Sequence, residues 1–70
     1  MPYVNIQVTK EGVTKEQKQQ LIQGVTQLLW DVLKKDPKVT HIVIDEIDTD
    51  NWGVGGEQTT EIRKRQSVKN

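Results

Sequence analysis

Met1-Pro2-Tyr3-Val4-Asn5-Ile6-Gln7-Val8-Thr9 opens the chain, and its reading decides the fold. Val4, Ile6 and Val8 alternate with Asn5, Gln7 and Thr9, which is the two-residue period of a half-buried strand. The strand starts almost at once, so main-chain pairing in a sheet fixes whatever stands at the N-terminus. The second residue is proline, small enough for the initiator methionine to be removed. Removal leaves Pro2 with a free secondary amine, and an amine held by a paired strand is a candidate base. With Met1 attached, Pro2 carries only an amide nitrogen and has no basic lone pair.

Outward from this strand lies a polar turn, Lys10-Glu11-Gly12-Val13, and then a helix. Thr14 with Gln17 three residues on forms a capping box. Leu21, Ile22, Val25, Leu28, Leu29, Val32 and Leu33 then fall one, three and four apart, as one apolar stripe. Lys34 and Lys35 are expected in the last turn, where cations suit the helix dipole. Pro37 stops the helix by pushing Asp36 out of the helical region. Gly24, costly inside a helix, predicts a close contact with another backbone. A second strand runs from Val39 to Ile47, and its unbroken Ile42-Val43-Ile44 reads as a strand covered on both faces. Strand, helix and strand make a right-handed βαβ unit with parallel strands. The expected class is α+β, with a short C-terminal hairpin at the Gly53–Gly56 turn. Residues 1–62 form one domain and residues 63–70 a polar, basic, partly unstructured tail.

Two strands and one helix cannot cover both faces of a sheet. A 70-residue chain buries only about 60% of its unfolded surface and usually needs disulfides, metals or partners. There is no cysteine and a single histidine. Self-association is the remaining remedy, with a second subunit completing the sheet along an edge. Ten basic and ten acidic residues cancel, so no global attraction to nucleic acid or anionic membranes is expected. No apolar run reaches membrane-spanning length and no signal peptide is recognisable. The lack of cysteine suits a reducing cytoplasm.

Three stretches invite other chemistry. Asp48-Thr49-Asp50-Asn51-Trp52-Gly53 resembles a calcium loop, but Trp52 takes a ligand position and Thr59 stands where the bidentate glutamate belongs. A solvated acidic turn accounts for it better. Trp52-Gly53-Val54-Gly55-Gly56-Glu57 is glycine-rich but lacks the lysine of a phosphate loop and does not lie between strand and helix. It reads as a tight hairpin packed on a neighbouring subunit. Arg63-Lys64-Arg65 is too short a cationic run to argue for nucleic-acid binding.

Taken together, Pro2 on the first strand, Glu16-Gln17-Lys18 with Leu21-Ile22, Ile42-Val43-Ile44-Asp45-Glu46 and the Trp52 to Glu57 turn resemble the 4-oxalocrotonate tautomerase family. The likeness covers roughly Pro2 to Arg65. It implies a β-α-β chain whose dimers share a four-stranded sheet and assemble as hexamers, trimers of dimers. It also implies a cofactor-free, metal-free enol-keto tautomerase acting on a small 2-oxo acid or related enol. Pro2 is then the general base and Trp52 the aromatic wall of the pocket. Two positions depart from the family: Val13 and His41 stand where its two arginines belong. Neither valine nor histidine holds a carboxylate as a guanidinium does. His41 is the candidate substrate-binding residue at the second position, with Lys10 or Arg63 to Arg65 of a neighbour as compensating cations. The family's dicarboxylate is therefore not the expected substrate. Proline-dependent hydration or dehalogenation, and a non-catalytic oligomer of the same fold, are the alternatives.

Overall fold

The computed structural model describes residues 1–67. Its order is β1 (Tyr3–Thr9), α1 (Lys15–Leu33), a 3-10 turn (Pro37–Val39), β2 (His41–Ile47), a second 3-10 turn (Thr49–Asn51), β3 (Gly53–Val54), β4 (Glu57–Gln58) and α2 (Thr59–Ser67). Strands β1 and β2 pair in parallel and in step, from Tyr3 opposite His41 to Thr9 opposite Ile47. One more main-chain bond, from Lys10 N to Ile47 O at 2.7 Å, extends the ladder. The βαβ unit and the hairpin stand as the sequence predicts.

Thr14 caps α1 as expected. Its hydroxyl accepts from Gln17 N at 3.1 Å, and the Gln17 side chain accepts from Thr14 N at 2.9 Å. The far end differs. Lys34 adopts a left-handed φ of 58°, so the helix closes at Leu33 and neither lysine lies in its last turn. The Lys34 N–H still reaches Trp30 O at 3.0 Å, satisfying a terminal carbonyl. Pro37 then starts a 3-10 turn, capped by the Asp36 carboxylate on Lys38 N. That turn takes Pro37–Val39 and delays β2 to His41, two residues later than expected.

The apolar stripe on α1 is also divided. Ile22, Val25 and Leu29 turn toward the half-buried face of the sheet, whose Val4, Ile6, Ile42 and Ile44 alternate as the period requires. Leu21, Leu28 and Val32 lie on a flank, and Leu28 and Val32 stay 58% and 67% exposed. Val43 is open on the other sheet face, so β2 is covered on one side only within the chain. No apolar side chain among the described residues is buried. The accessible surface of 5542 Å² exceeds by about a quarter what a compact 8.0 kDa protein shows. An open Cβ position at Gly24, with nothing within 4 Å, belongs to the same pattern: the contact inferred for it is absent inside one chain.

The hairpin β3–β4 turns through Gly55 and Gly56, both with positive φ (61° and 83°), the conformation a two-residue type I′ turn demands. The chain then enters α2. Residues Arg63 to Ser67, expected to belong to a polar, partly unstructured tail, are the second half of this helix. Two of its side chains pair with acids outside the helix. The Arg63 guanidinium grips Glu11, 52 residues away, and Arg65 grips Glu57. Residues 68–70, the rest of the expected tail, lie outside the described residues.

Candidate active site

Pro2 is set by the sheet in the way the sequence requires. Its carbonyl accepts from His41 N at 2.9 Å, one step beyond the first β1–β2 pair. The residue is half-buried, while Met1 ahead of it is 85% exposed. Pro2 and His41 therefore meet through the backbone. By strand alternation His41 shares the open sheet face with Tyr3, Asn5, Val43 and Asp45, away from α1.

Trp52 lies elsewhere. It follows the C-terminal end of β2, whereas Pro2 precedes the N-terminal end of β1 in a parallel pair. Seven strand residues separate the two ends, roughly 20 Å at about 3.3 Å per residue. One chain thus does not bring Trp52 to its own Pro2. Val13, the other departure from the family pattern, sits at the mouth of α1 beside Gln17 and Leu21 and joins neither.

Trp52 is held firmly where it is. Its carbonyl accepts from Thr59 twice, from the amide at 2.8 Å and from the hydroxyl at 2.8 Å. Thr59 is the one buried residue of the described chain, 4% exposed. The acidic stretch before Trp52 serves the same end. Thr49 and Thr60 share a hydroxyl contact of 2.6 Å, the Asp50 carboxylate accepts from Thr60, and Gln58 donates to Asp50 O at 3.0 Å. Asp45 and Glu46 are taken by Asn5 and Lys18. These carboxylates are spent on protein donors and do not converge as a calcium cage would.

Around Trp52 opens a cleft of about 480 Å³, within the range of small-molecule sites. Gln7, Val8 and Thr9 form one wall; Trp52, Val54, Thr59, Ile62 and Arg63 form the other. Sequence reasoning identified Trp52 here and considered Arg63 only as a cation borrowed from a neighbour. Thr59 and the β1 wall were missed, because their place depends on how α2 folds back.

At the rim, Arg63 donates to Glu11 through Nε (2.7 Å) and Nη2 (3.2 Å), and Thr9 donates its hydroxyl to the same carboxylate. The Arg63 bond, and after it the Thr9 bond, hold the Glu11 carboxyl below its ordinary range; Glu11 in turn raises Arg63. The matching Arg65 bond lowers Glu57. Both pairs lie on the surface.

Residues 2–62 match the family model described as tautomerase enzyme. The chain belongs to the tautomerase family. A probable tautomerase of Dickeya dadantii is 63% identical over 67 residues, covering 96% of this chain and 100% of the relative. The crystal structure of DmpI from Helicobacter pylori superposes with a TM-score of 0.84 at 44% identity, over 99% of this chain and 100% of that one. A heterohexameric 4-oxalocrotonate tautomerase from Chloroflexus aurantiacus gives a TM-score of 0.81 at 25% identity, over 90% of this tautomerase and 100% of that chain. The activity of this tautomerase is thus of the isomerase class, and its β-α-β fold with C-terminal hairpin and helix is that of the solved relatives. No described helix is long and apolar enough to cross a membrane.

Proposed function

We propose that this tautomerase, once Met1 is removed, converts the enol of a small 2-oxo acid to its keto form in a cofactor-free site shared between subunits. One observation carries the reading: Pro2 is anchored at one end of β1, and the Trp52 cleft opens at the other. Each β1 has a free edge, since the sheet is ordered β1-β2 only. A two-fold axis that pairs two β1 edges antiparallel brings the start of each strand to the end of the other. Pro2 of one chain then faces the Trp52 cleft of its partner. The same pairing makes a four-stranded sheet, and bare Leu28, Val32 and Val43 supply further contact for a trimer of such dimers, a hexamer.

In that site the Pro2 amine accepts the hydroxyl proton of the enol. The resulting secondary ammonium returns a proton to carbon as the carbonyl forms, so one O–H bond breaks and one C–H bond forms. A free α-amine titrates near pH 8, roughly, and a half-buried setting beside Trp52 disfavours the ammonium. A base tuned towards the working pH contributes about 100- to 10,000-fold. His41, next to Pro2 in the sheet, is a proposed substrate contact on the open face. A cysteine-free chain suits work in the reducing cytoplasm.

Ketonisation of an aryl enolpyruvate tests the reading. Processed protein should accelerate it, with kcat/KM rising with pH through a single ionisation below that of an unperturbed proline amine. Pro2→Ala retains a primary amine in nearly the same place and should slow the reaction without abolishing it. A Pro2→Ala protein as fast as the parent removes Pro2 from the mechanism.

A further inference from the structure

We infer that Arg63 of α2, with the Thr9 hydroxyl, forms the subsite that binds the substrate's carboxylate in the Trp52 cleft, and that Glu11 occupies it until substrate arrives. The inference rests on the tautomerase reading of this cleft and names the residue that selects its substrate. Arg63 follows directly on the residues matched by the family model, 2–62. The places where the family likeness calls for arginine hold Val13 and His41.

The geometry already displays a bound carboxylate. Two nitrogens on one edge of the guanidinium, Nε and Nη2, meet the two oxygens of Glu11 at 2.7 and 3.2 Å, the fork that recognises a planar carboxylate. Thr9 adds a third donor to the same group. The third guanidinium nitrogen, Nη1, is held by Gln66 at 3.1 Å, which fixes the plane. Arg63 and Thr9 both line the cleft that Trp52 walls, so an acid seated there lays its apolar part on the indole. Glu11 is a replaceable occupant. The side chains of this pair are 49% and 34% exposed, and exposed ion pairs contribute little to stability. Exchanging one carboxylate for another keeps the same bonds and frees Glu11 to water. A monocarboxylate is the matching substrate class, because one fork accepts one carboxylate. An uncharged enol meets Trp52 but leaves Glu11 in place.

The test compares an aryl enolpyruvate with its methyl ester in turnover, and phenylpyruvate with its methyl ester in calorimetric binding. Arg63→Gln should raise KM for the acid roughly ten- to a hundredfold, with little change in kcat, and leave the ester alone. Arg63→Lys keeps the charge without the fork and should fall between. Glu11→Gln should act in the opposite direction, lowering KM and Kd for the acid several-fold with no effect on the ester. A merely structural pair would not give variants of opposite sign. Equal effects of Arg63→Gln on acid and ester, or none on either, overturn the inference. If neither enol is turned over yet Arg63→Gln weakens phenylpyruvate binding, the carboxylate subsite stands and the tautomerase reading falls.

Discussion

Replacing Thr59 by valine removes one atom's chemistry from the most enclosed point of the chain. Threonine and valine have nearly the same shape, so the packing around this 4%-exposed side chain is kept. The lost group is the hydroxyl that donates to Trp52 O at 2.8 Å, while the Thr59 amide still donates to the same carbonyl at 2.8 Å. The carbonyl is therefore not orphaned, and the change falls at the lower end of the range for a neutral hydrogen bond, about 0.5–1 kcal/mol. That is roughly a two- to fivefold fall in the folding constant. Thr59→Ala loses the hydroxyl and also a methyl group, adding roughly 0.8 kcal/mol. The assay is urea unfolding of the three proteins at one chain concentration, since subunit association adds to apparent stability. The predicted order is parent, valine, alanine, with unchanged slopes. A valine variant as stable as the parent would show that the Trp52 clamp rests on the amide alone, and a loss above about 3 kcal/mol would mean that the carbonyl is left unpaired.

Three further outcomes follow from other parts of the chain. Sedimentation at micromolar concentration should find a species of several chains, six by the present account; a stable folded monomer would leave the bare Leu28, Val32 and Val43 unexplained. Gly24→Ala should stabilise α1 by about 0.8–1 kcal/mol, because nothing beyond its own stretch of helix lies within 4 Å of the added methyl. Dissociation of the assembly on that change would instead locate another chain against Gly24. Arg65→Gln should lower stability at neutral pH by removing the hydrogen bond that depresses Glu57. Glu57 titrates below its ordinary value of 4.5 in the folded chain, so this contribution is complete above that value and is lost as pH falls through the lowered one. The gap between parent and variant in acid unfolding should close accordingly; a gap that persists into strong acid refutes the pairing.

The half of the fold built from local pattern was legible in the sequence. The alternation in β1, the Thr14–Gln17 box and the Gly55-Gly56 turn each state a local geometry, and each is present. Legibility failed where distant residues decide. Nothing within Thr59–Ser67 announces a helix, since Ile62 is its one apolar side chain and its arginines are held by Glu11 and Glu57. The two-sided placement of the α1 leucines was hidden for a similar reason, as a wide apolar stripe does not say which flank meets the sheet. Of the candidate site, Pro2 could be proposed from residue type and the strand behind it, and Trp52 only through the family resemblance. Their separation along β1 could not, because it follows from parallel pairing and from the side on which the hairpin returns.

The most direct test of the central claim compares two preparations that differ only at the N-terminus. One retains Met1 and the other begins at Pro2, each verified by intact mass. Tyr3 to Thr9 pair with β2 in both, so the two should fold and assemble alike. The account predicts that the processed protein accelerates ketonisation of an aryl enolpyruvate and that the Met1-retaining protein does not. Equal rates from the two preparations would contradict it, since only one of them has a lone pair on Pro2 to accept the proton.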